Sequence, residues 1–444
     1  MKKFNFSAAI WLTFVALFLH LHLVAQTSEA IFASGGEYGA PGNMIKFYSY
    51  FTINPGVRYR FTAFDSIPGN YTNDLVVSGD IAFISADTFL LKYDLWSKKR
   101  TGKIALPGIN RLNTWKNFLI ASRWYPDTTG AYIEIFDTAT LKIVYKDTVS
   151  KNPGYGITIT NDTAYIAVPT YNKGLMEVIS LNGAKPAFVK MISLDSNSAN
   201  LTDMYSYDNN ITNPNEHFVY GLSYTTYPPY KHHLVSYNLN TGKFTNVYDS
   251  LGQNGIDIYK GFGLQGCVEG VSPEIYADFG DGIQTFDFSN NKITSTVIKK
   301  HFTKGIYDAA YGFFYITNSD FKHPDKIYVV NSIRGNIVDS FYTGVSTQAM
   351  GMHYYVTVGI EQSNPTNLKL TLYPNPASSQ IHLYSSENNA IVYISDITGQ
   401  VVYSENKTDL NNGASIDVSG LTNGVYIVHL VSETGTADVK FIKK

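Results

Sequence analysis

Seven positions in this sequence, six of them with oxygen-bearing side chains, would face one axis if the segments that carry them are equivalent. They are Asp74 in Asn73-Asp74-Leu75, Asn113 in Leu112-Asn113-Thr114, Gly156 in Tyr155-Gly156-Ile157 and Asp203 in Thr202-Asp203-Met204. Asp257 in Ile256-Asp257-Ile258, Asp308 in Tyr307-Asp308-Ala309 and Gln348 in Thr347-Gln348-Ala349 complete the set. Four carboxylates and two amides around a concavity make a negative, oxygen-rich site, and calcium is the cation such hard ligands suit. Without a cation, mutual repulsion would raise the carboxylate pKa values. The competing reading is structural: each residue is solvated at the mouth of a funnel or bonds the backbone of the next unit. A slip of one residue in register would turn a side chain to the other face. Nearby Trp115, Trp124, Tyr155, Tyr205, Tyr259 and Tyr307 have an apolar body and a polar tip, suited to stacking on a flat ligand or sugar, or to packing between units. The candidate ligand-contacting set is therefore Asp74, Asn113, Tyr155, Asp203, Asp257, Tyr307, Asp308 and Gln348.

Other chemistries find less support. His232 and His233 are neighbours in a strand-like segment, so they point to opposite faces and cannot chelate one ion together. His217, His301, His323 and His353 are scattered. The chain carries no Gly-x-Ser-x-Gly elbow and no glycine-rich phosphate loop. One cysteine, Cys267, excludes an internal disulfide framework and a cysteine-built zinc site, and is expected to serve as a small buried hydrophobe. With 34 basic and 36 acidic residues among 444, the charge balance offers no footprint for nucleic acid. Binding without catalysis is the leading expectation, and no cofactor beyond the calcium just described is expected. One alternative is a metal-assisted hydrolase or lactonase using the carboxylate ring; another is the capture of a corrin-like cofactor for an outer-membrane transporter.

The elements that must position these residues form a repeat. A short apolar strand ending in a polar residue and a turn recurs as Met44-Ile45-Lys46-Phe47-Tyr48, Leu90-Leu91-Lys92-Tyr93-Asp94 and Tyr132-Ile133-Glu134-Ile135-Phe136-Asp137. It returns before Ser180, Asn238, Asp287 and Asn331. The closing positions 48, 94, 137, 180, 238, 287 and 331 are separated by 46, 43, 43, 58, 49 and 44 residues. Seven units of this period predict a seven-bladed β-propeller, in which the first strand of each blade lines a central funnel. The richness in Tyr and Phe (34 and 26 residues) suits half-buried strands, and no segment shows sustained helical periodicity. The long fourth interval contains 195–214 and 225–230; insertions in repeat proteins gather on one face, often the binding face.

The two ends read as addresses. Lys2 and Lys3, an apolar run from Ala8 to Val24 and the small residue Ala25 predict a secretory signal peptide over 1–25. The propeller is expected over 26–360 and a polar linker over 361–367. After it, 368–444 alternates at period two with polar turns, the pattern of a small β-sandwich. The fold class is therefore all-β, a seven-bladed propeller followed by a C-terminal sandwich.

The repeat grammar resembles the propellers of the YVTN/YncE-like group. The opening 31–39 with Asn43 to Tyr48 resembles a Bacteroidota cell-surface subgroup, some members of which capture cobalamin; this chain has no cysteine after its apolar run, unlike the lipoproteins common there. The C-terminal segment resembles the type A sorting domain of the type IX secretion system of Bacteroidota through ordered motifs. These are Tyr373-Pro374-Asn375-Pro376, then Asp396-Ile397-Thr398-Gly399, then Leu421-Thr422-Asn423-Gly424-Val425-Tyr426, then Val439 to Lys444. Thr422 stands where the family commonly has proline. The resemblance implies handling by the type IX machinery, export across the outer membrane, removal of the domain near the linker, and release or attachment to surface lipopolysaccharide. Triplets such as Asp137-Thr138-Ala139 and Asp162-Thr163-Ala164 resemble O-glycosylation sites of the same bacteria.

Overall fold

The segment Phe118-Leu119-Ile120-Ala121-Ser122-Arg123 is buried at every position, which requires a packed layer on both faces of its sheet. Leu119 and Ala121 pack with Phe83, Leu90 and Leu112 on one side, while Phe118 and Ile120 pack with Ile166 and Ile179 on the other. The same arrangement repeats around a ring. This is a computed structural model that describes residues 26–37, 39–52, 60–208, 217–224, 231–251, 265–266, 274–278, 282–288, 292–300, 302–356, 370–387, 390–396, 401–432 and 436–444. The expected signal peptide, the linker 361–367, the loop 225–230, Asp257, Tyr259, Cys267, His301 and Gly399 lie outside these residues.

Among the described residues seven four-stranded sheets form the blades. Blade 1 spans 72–105, blade 2 spans 109–147, blade 3 spans 157–193, blade 4 spans 203–251, blade 5 spans 265–298 and blade 6 spans 304–345. The closing blade takes its inner strand, Thr347–Val356, from the far end of the repeat and its other three, Gln26–Ser34, Met44–Thr52 and Arg60–Pro68, from the near end. Backbone hydrogen bonds thus join the ring's two ends. Seven apolar clusters each bridge two neighbouring blades, from the closing blade with blade 1 round to blade 6 with the closing blade. Only the fourth strands are wet, as in Lys99–Ala105.

The recurring sequence motif is the third strand of every blade. In blades 1, 2, 4 and 6 its closing Asp or Asn caps the turn to the fourth strand, whereas Tyr48 of the closing blade lies within Met44–Thr52. Asp94 Oδ1 accepts from Ser97 N–H at 2.7 Å, Asp137 Oδ1 from Thr140 N–H at 2.8 Å, and Asn331 Oδ1 from Arg334 N–H at 2.9 Å. These are turns in which a short Asx side chain mimics a backbone carbonyl.

Chain contacts divide the protein into two compact units, one of 27–355 and one that contains 356–444. In the second, strands Leu370–Tyr373, Gln380–Ser385 and Ala414–Asp417 form one sheet; Ala390–Asp396, Val401–Lys407, Gly424–Val431 and Thr436–Lys443 form the other. Ile381, Leu383, Val392, Ile394, Ile416, Val428, Leu430 and Phe441 fill the space between, all buried. Both prolines of Tyr373-Pro374-Asn375-Pro376 follow cis peptide bonds. Asn375 then acts as a clamp: Nδ2 donates to Lys440 O at 2.9 Å and Oδ1 accepts from Ile442 N–H at 3.0 Å. Tyr426 closes the turn before its strand, donating to Thr422 O at 2.8 Å; Asn423 is exposed in that turn and Gly424 begins the strand.

Candidate functional site

The inner strands are where sequence and structure part company. Asp74 is the third residue of Thr72–Ser78, Asn113 the fifth of Ile109–Trp115, Asp203 the first of Asp203–Asp208 and Asp308 the last of Lys304–Asp308. The positions aligned from sequence are therefore not equivalent along the funnel, and no single ring of oxygens forms among the described residues.

A cavity of about 440 Å³ lies along the inner strands of blades 1, 2, 3, 4 and 6, a size that holds a small organic ligand. Asp74, Asn113 and Asp203 line it, as do Trp115 and Tyr205. Two cations absent from the sequence-derived set also line it: Arg111 on the blade 2 strand and Lys304 at the head of the blade 6 strand. The described part of the lining is thus of mixed charge, with Asp257 outside it. Burial, and secondarily the Arg111 guanidinium, push the Lys304 ammonium down to about 8, although Asp74 and Asp203 pull the other way.

Several lining side chains also stitch the blades together. Asp74 Oδ2 accepts from Leu112 N–H of blade 2 at 2.8 Å, and Asn113 Nδ2 donates to Ile157 O of blade 3 at 2.9 Å. Thr158 Oγ1 of blade 3 donates to Ser206 Oγ of blade 4 at 2.9 Å, and Ser206 Oγ donates back to Ile159 O at 3.2 Å. Gly156 has no side chain because Asp203 is too close: a Cβ there would lie 2.6 Å from Asp203 Cα. The sequence reading of solvation or interblade bonding thus describes Asp74 and Asn113 as well as the cavity does.

The remaining candidates sit elsewhere. Asp308 is fully buried at the end of its strand opposite Lys304, bound by Ser28 Oγ at 2.5 Å and by Ala310 N–H at 3.0 Å. Burial raises its pKa; it anchors the N-terminal strand to blade 6 instead of facing a ligand. Tyr155 packs edge-on against Trp124 with centroids 4.9 Å apart. Tyr307 packs between Tyr276 at 4.7 Å and Phe314 at 5.0 Å. Gln348 Nε2 reaches only the carbonyl of Thr347, at 3.3 Å. Tyr155, Tyr307, Asp308 and Gln348 therefore do not line the cavity. Trp115 does, with its indole N–H held by Asp162 Oδ1 at 2.6 Å.

Two buried charged clusters escaped the sequence reading. His353 lies between Glu29 Oε2 at 3.4 Å and Asp80 Oδ1 at 3.0 Å, with Lys98 on Glu29 at 2.5 Å, tying the closing blade to blade 1. Burial alone would raise the Glu29 pKa, but His353 and Lys98 hold it below the ordinary value. In blade 2, Arg123 bonds Glu134 at 3.2 Å, and Lys146 bridges Glu134 and Asp127. Among the described residues, no three His, Cys, Asp or Glu side chains are grouped closely enough to hold a metal ion.

Comparison with known proteins bears on both units. Residues 371–444 match the family described as the secretion system C-terminal sorting domain. No curated protein matches the chain. Among solved structures, the chain is similar to two described as 6-phosphogluconolactonase candidates. One, from Bacteroides uniformis, has a TM-score of 0.52 at 11% identity, covering 73% of this chain and 99% of that one. The other, from Bacteroides fragilis, has a TM-score of 0.50 at 10% identity, covering 74% and 99%. At this identity the likeness shows fold alone. Residues 371–444 are a type IX secretion system C-terminal sorting domain, carried behind a β-propeller and marking the protein for export to the cell surface or beyond it.

Proposed function

We propose that this protein is an exported propeller that binds a small ligand in its central cavity without transforming it. The observation that carries the reading is the cavity's lining: charged or aromatic side chains on four of its five described inner strands, Asp74, Arg111, Trp115, Asp203, Tyr205 and Lys304. The lining offers hydrogen-bond and charge recognition, while Ser206 Oγ is held by Thr158 and Ile159 and both Asp74 and Asp203 accept backbone N–H groups, so these side chains do not form a nucleophile–base pair with one another. A metal-assisted hydrolase or lactonase gains no support from it, because Asp74 and Asp203 face Arg111 and Lys304. The signal peptide over 1–25 delivers the chain to the periplasm, and the sorting domain takes it across the outer membrane, with release or attachment to lipopolysaccharide. The test is native mass spectrometry of the full chain purified from its producing cells, beside Thr114→Trp, which fills the cavity. A small molecule retained by the parent and lost from the variant supports the reading. Steady turnover of any substrate abolished by Thr114→Trp refutes it.

A further inference from the structure

Arg111 and Lys304 reach the cavity from blades 2 and 6; Asp74 and Asp203 are near enough to act on the Lys304 charge, but among the described residues neither cation is in ion-pair or hydrogen-bond contact with a carboxylate. Arg111 Nη1 donates to the carbonyl of its own neighbour, Asn110, at 3.2 Å, and Lys304 Nζ has no hydrogen-bond or ion-pair partner among the described residues. The cavity's two carboxylates each accept a backbone N–H. Asp74 Oδ2 takes the Leu112 N–H, and Asp203 Oδ1 takes the N–H of Met204 at 3.0 Å. Arg111 and Lys304 are both half-buried in one cavity and repel each other, a cost that Asp74 and Asp203 offset only in part and that an anion seated between the two relieves. Two other charged clusters among the described residues are closed: Glu29, Asp80, Lys98 and His353 satisfy one another, as do Arg123, Asp127, Glu134 and Lys146.

We infer that the ligand of the central cavity carries an oxyanion, a carboxylate or a phosphate, seated between Arg111 and Lys304. This names the ligand class of the site in the proposed function and rests on that reading. The weakened hold of Lys304 on its proton fits the same geometry. The groups facing it are Arg111, Asp74 and Asp203. An arriving anion strengthens that hold, so binding near pH 8 takes up a proton.

The experiment is calorimetry on the full chain with three probes, chosen because Trp115 and Tyr205 offer ring contacts: benzoate, phenyl phosphate and neutral phenol. At pH 6.5 at least one anion binds, phenol does not, and whichever anion binds more tightly identifies the group. Lys304→Gln and Arg111→Gln each weaken that binding at least tenfold, the loss expected for a hydrogen bond to a charged group. Unchanged anion affinity in both variants, or no anion binding, overturns the inference. In the parent chain, benzoate binding at pH 8 in buffers of different ionisation enthalpy reads proton uptake directly, whether or not the variants fold; no uptake overturns the role of Lys304. If phenol binds as tightly as benzoate and Thr114→Trp removes both, the oxyanion falls while the cavity stands. If benzoate binds and Thr114→Trp leaves it untouched, the cavity reading falls as well.

Discussion

Replacing Glu177 with Gln should make the propeller more stable at neutral and alkaline pH. Glu177 lies on the third strand of blade 3, fully buried, and neither carboxylate oxygen has a hydrogen-bond partner. Burial, and then Asp147 on the neighbouring blade, push its pKa from 4.5 up to about 9. Because the folded state holds this proton more tightly than the unfolded chain, the stabilisation is fully present below pH 4.5 and is lost as pH rises toward 9. From pH 4.5 to pH 7 the loss is about 3 kcal/mol, at about 1.4 kcal/mol per pH unit. Gln is neutral throughout and of similar size, so Glu177→Gln removes this slope. The assay is thermal or urea unfolding of the full chain at pH 5, 7 and 8.5, followed by circular dichroism. The parent should lose stability steadily relative to the variant as pH rises. Parallel pH profiles would refute the reasoning, since they would mean that Glu177 ionises in the folded protein without cost.

Two further outcomes follow from close contacts. Gly156→Ala drives a methyl into the Asp203 backbone and should lower stability by about 1–3 kcal/mol, read as a drop in melting temperature; an unchanged midpoint would mean blades 3 and 4 do not meet there. Asn375→Ala removes both bonds to the last strand, about 2 kcal/mol in all. It should reduce the amount of protein outside the cell, measured by immunoblot of medium and surface fractions.

The architecture was legible because its signals are local. A third strand packed on both faces is mostly apolar, and its closing Asp or Asn is needed for the turn, so Asp94, Asp137 and Asn331 mark the period from sequence alone. The sorting domain was legible for a similar reason: Asn375 and Tyr426 perform bonds that few other residues supply at those places. The inner strands carry no such marker. Their lengths differ, from Ile157–Thr160 to Thr347–Val356, so aligning acids by eye set Asp308 where Lys304 stands, four residues away at the other end of the strand. The signal that would have found Lys304 was the basic residue directly ahead of the apolar pair Gly305-Ile306. Glu177 and His353 were hidden because burial of a charge is decided by partners on another blade, which spacing along one strand does not reveal.

Two separable units divide the labour, one binding outside the cell and one carrying it there. Fractionation of the producing cells, comparing the full chain with one lacking 368–444, tests this most directly. The full chain should be recovered from the surface or the medium and the shortened chain from the periplasm. Recovery of the shortened chain outside the cell in the same proportion would contradict the claim.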